Sequence, residues 1–188
     1  MILPIVAFGT PVLKQKANNI DKDYEGLSEL IENMFETMHE ANGVGLAAPQ
    51  IGKSIRLFIV DASPFEDDEP ELKDFQQVFV NPEIVKQEGE EWSFNEGCLS
   101  IPHIREDVSR KSKIRIRYQD EHFDTYEEDF EGIAARIIQH EYDHIEGVMF
   151  TDYLSPLKKR LLKRKLNDIS KGNIRVDYRM KFPQKKGR

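Results

Sequence analysis

Residues 140–144 read His-Glu-Tyr-Asp-His, and no other stretch restricts this chain as tightly. In a helix, side chains four positions apart differ by about 40° in direction, so both imidazoles leave the same face. That spacing lets two ring nitrogens reach one ion at about 2.0–2.1 Å. Glu141 lies between them in sequence and has an arm long enough to reach a water beside that ion without ligating it. Such a carboxylate can take a proton and pass it on. The pentapeptide also occurs by chance, as a helix with two incidental histidines and a solvated glutamate.

A third ligand has to come from elsewhere. The chain has one cysteine, Cys98, within Glu96-Gly97-Cys98-Leu99-Ser100. A lone thiol forms no intramolecular disulfide, which suits a reducing cytosol. As a thiolate it would complete a three-ligand site with an open fourth position. Taken alone, it reads more simply as a small buried hydrophobe. Gly97 removes a side chain where backbone or substrate could approach. Residues 43–50, Gly-Val-Gly-Leu-Ala-Ala-Pro-Gln, leave backbone amides accessible, and Gln50 offers a side-chain donor. An ordinary tightly packed loop is the simpler reading of that segment in isolation.

The surrounding pattern predicts an α+β fold. Leu27, Leu30, Ile31, Met34 and Met38 mark one face of a helix over residues 24–41, ended by Asn42-Gly43. Residues 55–60 and 78–80 read as short strands, the second closed by Asn81-Pro82. The acidic stretch 61–74 between them reads as a mobile, solvated surface loop. Residues 113–118 alternate as a half-buried antiparallel strand that turns back into 123–130. A helix over 132–145 follows, with Gly147 as its C-cap. A last helix starts at Ser155-Pro156 and carries Leu157, Leu161, Leu162, Leu166 and Ile169 on a stripe packed against the body. Antiparallel sheets would thus surround a central metal-binding helix, flanked by an N-terminal and a C-terminal helix, with a catalytic domain over 1–172 and a basic tail over 173–188. With 188 residues, 39% of them hydrophobic, the chain suits one domain with its own core. No apolar run approaches the roughly 18 residues of a membrane span, and the first nine lack the flanks of a signal peptide. A soluble, cytoplasmic monomer is expected.

Residues 43–50, 96–100 and 139–144 resemble, in that order, the three signature motifs of the bacterial-type peptide deformylases. Ser155-Pro156-Leu157 is similar to that family's stretch after the metal helix, and the likeness runs from about Pro4 to about Asp168. The resemblance implies one divalent ion on Cys98, His140 and His144: ferrous iron in the cell, with zinc, nickel or cobalt able to substitute. It makes Glu141 the general acid and base, and turns the Gln50 side-chain amide and the Leu99 backbone N–H toward the substrate oxygen. The activity implied is hydrolytic removal of the N-formyl group from the N-terminal methionine of newly made polypeptides, releasing formate. A methionine pocket falls at Val44, Phe94, Ile133, Arg136, Ile137 and His140. An extended substrate would pair with backbone at Gly43 to Gly45 and leave past Arg105. Arg136 stands where the family more often has an apolar residue, so its stem is expected to line the pocket and its head to reach water.

Charge is unevenly spread. Residues 157–188 hold thirteen Lys or Arg against two acids, a balance of +11 that leaves −18 on the rest of a chain of net charge −7. A basic tail on an acidic body suggests attraction to a polyanion, and with this substrate class the polyanion is ribosomal RNA. Two other functions fit parts of the pattern. An endopeptidase with the same His-Glu-x-x-His chemistry would draw its third ligand from a downstream Glu, Asp or His, not from Cys98. A non-catalytic RNA-binding module with structural zinc would want four closed ligands, and three are apparent.

Overall fold

In the computed structural model, which describes residues 1–183, strand β1 (Ile5–Val6) precedes helix α1 (Leu27–Glu40). The expected stripe on α1 is buried, from Leu27 through Met38, against the next two strands. These are β2 (Gly45–Ala47) and β3 (Leu57–Asp61), followed by β4 (Gln76–Cys98), β5 (Ile101–Gln119) and β6 (Thr125–Glu131). Together they form a five-stranded sheet in the order β2-β3-β4-β5-β6, with every neighbour antiparallel. Phe58 and Phe79, both fully buried, stack across β3 and β4 with centroids 4.7 Å apart.

The expected strand at 78–80 is the start of a much longer one. Asn81-Pro82 reads as a turn, but the ladder shifts register between Val80 and Glu83, so a bulge absorbs both residues. Asn81 takes a left-handed φ of 49°, and Pro82 needs no partner for the N–H it lacks. Further shifts at Ile84/Lys86, Glu88/Glu91 and Gly97/Cys98 interrupt the same hairpin.

Helix α2 (Gly132–Ile145) lies in the middle, with eleven of its 14 residues buried, against β2, β3, β5 and β6. The acidic stretch 61–74 holds its entrance and is not the free loop expected. Two 3-10 turns, Ser63–Phe65 and Pro70–Leu72, organise it, and Leu72 is buried. The Glu69 carboxylate accepts from the Ile133 N–H at 3.1 Å, which pairs one of the helix's orphan donors and sets negative charge at its positive end.

Helix α3 (Pro156–Ser170) starts at Ser155, whose hydroxyl accepts from the Lys158 N–H. Its stripe is only partly covered: Leu162 and Ile169 are buried, while Leu157 and Leu161 stay 62% and 71% exposed. The boundary expected at 172 separates less than it suggested. Residues 173–183 fold back on the body, and β7 (Met180–Lys181) pairs parallel with β1, so the second sheet is not antiparallel. Residues 184–188 of the expected tail lie outside the described residues. No helix among the described residues is long and apolar enough to cross a membrane.

Candidate metal centre

Cys98 ends β4 immediately before a two-residue turn, Leu99–Ser100, and pairs across it with Ile101. The bulge at Gly97/Cys98 places the sulfur beside α2. There, Cys98, His140 and His144 each present a ligand atom, all within 4.8 Å of one another. The Cys98 Sγ lies 3.4 Å from His144 Nε2, and the two imidazole centroids are 5.1 Å apart. The cysteine of β4 and the two histidines of α2 converge as expected.

The donor set is prepared for a cation. His140 Nδ1 lies 2.8 Å from Glu96 Oε1, which fixes the ring and leaves Nε2 as its free donor atom. Burial disfavours a charged His140, yet the Cys98 sulfur and Glu96 beside it more than offset this and raise its pKa well above the usual value. His144 is held neutral, first by burial and then by His140, so its nitrogen lone pair is available, while its Nδ1 is buried with no partner among the described residues. Glu96 is clasped from two sides: Arg110 donates to both its oxygens at 2.8 and 3.0 Å, and Arg136 to one at 2.9 Å. Burial opposes its ionisation, but His140 and Arg110 prevail and hold it far below the usual carboxylate range.

Glu141 is 4% exposed, and one of its carboxylate oxygens, Oε2, is buried without a hydrogen-bond partner. Burial pushes its carboxyl up to about 7, the range suited to a group that both takes and gives a proton. The Gln50 amide has its orientation set from behind: its carbonyl accepts from the Ala47 N–H at 2.9 Å, so its NH2 faces Cys98 Sγ at 3.4 Å and Ser100 Oγ at 3.3 Å. A cavity of about 480 Å³ opens over these groups. Every residue expected to contact substrate lines it except Ile133, which belongs to the core cluster with Phe58 and Phe79.

Two expectations change. The Arg136 head does not reach water: the residue is 1% exposed, and its guanidinium donates to Val108 O at 2.8 Å and Trp92 O at 2.6 Å besides Glu96. Stacking over Trp92 and Phe94 completes its burial. The space beside Gly97 is taken by this chain rather than by a ligand, since a Cβ there would lie 2.6 Å from Arg105 Nη1. Other functional groups went unread in the sequence. Phe65 and Tyr178 line the cavity, and Arg110 ties Glu96 to Asp143 at 2.8 Å. Arg110 did carry a signal, because it falls in the inward phase of β5 with Val108 and Ile114.

Comparison with known proteins agrees with this geometry. The family model described as polypeptide deformylase matches residues 2–160. The chain belongs to the polypeptide deformylase family. A peptide deformylase of Christiangramia forsetii is 58% identical, covering 99% of this chain and 98% of that one. One from Flavobacterium johnsoniae is 57% identical over the whole of both chains. The crystal structure of the peptide deformylase of Legionella pneumophila superposes with a TM-score of 0.79 at 40% identity, covering 92% of this chain and 98% of that one. Deformylases are metal-dependent enzymes that remove the formyl group from newly made polypeptides, and membership disfavours the endopeptidase reading.

Proposed function

We propose that this chain deformylates N-formylmethionyl peptides in the cytoplasm, using one divalent ion held by Cys98, His140 and His144. The observation that carries the reading is the convergence of those three ligand atoms within 4.8 Å, beneath a cavity that also receives Glu141 and Gln50. One thiolate and two neutral imidazoles suit ferrous iron, zinc, nickel or cobalt, and the family resemblance favours ferrous iron as the resident ion. Bound there, such an ion supplies Lewis acidity, which eases ionisation of water and polarises a carbonyl.

The rest of the chemistry belongs to this chain's own side chains. Glu141 accepts the proton of the attacking water and returns it to the departing α-amine. The Gln50 NH2 and the Leu99 N–H donate to the formyl oxygen as it gains charge, each worth about 3–4 kcal/mol. Val44, Phe94 and Ile137, with the stem of Arg136, offer an apolar wall to the methionine side chain. β2 is the edge strand of its sheet, which supports pairing of an extended substrate along Gly43 to Gly45 and exit past Arg105. The cations of α3, set beside exposed Leu157 and Leu161, support a contact with ribosomal RNA.

Glu141→Ala tests the assignment of roles. Formate release from a formyl-Met peptide should fall by about 10²–10⁴, with metal content and melting temperature unchanged. Retained turnover would remove Glu141 from the reaction.

A further inference from the structure

The C-terminal segment is a strap with one residue turned to the reaction site. From Ile174 to Phe182 its apolar residues alternate with polar ones, and the apolar set is the less exposed. Ile174, Met180 and Phe182 pack onto the core cluster that includes Val6 and Ile101. Backbone bonds anchor it on both sides of Tyr178. His103 Nε2 lies 2.6 Å from Arg175 O, and β1 with the residue after it donates to the strap, Ile5 N to Arg179 O and Ala7 N to Lys181 O, both at 2.9 Å. Between these anchors Tyr178 enters the cavity wall and donates its hydroxyl to Leu99 O at 2.7 Å.

Leu99 begins the two-residue turn after Cys98. Its own N–H belongs to the Cys98–Leu99 peptide, and its carbonyl to the Leu99–Ser100 peptide, so fixing the carbonyl restricts the rotation that would swing the N–H away. The remainder of the turn is held from other directions: Phe8 N donates to Ser100 O at 2.9 Å, and Gln50 Nε2 to Ser100 Oγ at 3.3 Å. Tyr178 supplies the side-chain bond at the Leu99 end. The strap lies beyond residues 2–160, the part matched by the family model.

We propose that Tyr178 is a positioning residue for deformylation: clamped on the strap, its hydroxyl holds the Leu99–Ser100 turn so that the Leu99 N–H points at the substrate oxygen. The inference rests on the Leu99 N–H serving as an oxyanion donor. An N–H swung out of line weakens transition-state binding more than substrate binding, so the effect belongs in kcat.

The test uses the full, metal-loaded chain. Tyr178→Phe keeps the ring and loses the bond. Its kcat on a formyl-Met peptide should fall about tenfold, with KM within about twofold, metal content unchanged, and faster hydrogen exchange at the Leu99 amide. Arg179→Ala, which removes a strap bond to Ile2 O without touching the turn, should keep kcat within about twofold of the parent. An unchanged kcat in Tyr178→Phe, a loss that tracks metal content, or an equal loss in Arg179→Ala would overturn the proposal. Gln50→Leu, measured alongside, separates the underlying reading. A deep kcat loss there with none in Tyr178→Phe defeats the positioning role alone. No loss in either Gln50→Leu or Tyr178→Phe defeats the oxyanion assignment, and the positioning role with it.

Discussion

Gly45 sits against Glu141 with no room for a side chain: a Cβ would lie 2.4 Å from the carboxylate Oε1. Gly45→Ala must displace either strand or carboxylate, and a misplacement of about 1 Å costs on the order of 10²-fold in rate. Formate release should fall by that order while metal content holds. A kcat within about threefold of the parent would show that Glu141 tolerates the shift. At this scale the sequence was most informative. The two histidines, Glu141, Cys98 and Gln50 were legible because their chemistry is carried by residue type and local spacing. Glu96 and Arg110 were not, because their roles depend on which side chain the fold sets opposite them. Glu96 lay in view near the cysteine, yet only the fold shows that this β4 carboxylate, clasped by Arg110 of β5, grips His140 on α2.

The three helices were legible from apolar spacing and end signals, and each falls within a few residues of its expected range. The long hairpin was not. Residues 86–91 are polar and exposed on both faces, so they show no alternation, and Asn81-Pro82 imitates a stop. The strap was missed for the opposite reason: its alternation from Ile174 to Phe182 is clear, but lies within a run of cations that drew attention to charge. A prediction at the scale of elements concerns the entrance of α2. Glu69→Ala removes the acceptor from the Ile133 N–H and should cost about 0.5–2 kcal/mol in urea unfolding. No loss of stability would mean that the acidic stretch does not hold the helix.

Taken whole, the molecule sets its cations apart. α3 carries six of them in 15 residues, and one, Lys158, pairs with an acid of the body, Glu106, at 2.7 Å. Reversing Lys159, Arg160, Lys163 and Arg164 to Glu should abolish co-sedimentation with ribosomes at low salt. Turnover of a short formyl peptide should persist, because these residues lie away from the cavity. Added salt should mimic the reversal in the parent protein, the screening length being about 10 Å at 0.1 M. Pelleting unaffected by either change would rule out an electrostatic contact through this helix. The proposed chemistry depends on three ligands meeting at one ion. X-ray absorption on protein loaded with one equivalent of zinc reads that directly: one sulfur at about 2.3 Å and two imidazole nitrogens at about 2.0–2.1 Å are expected. A shell without sulfur would contradict the site.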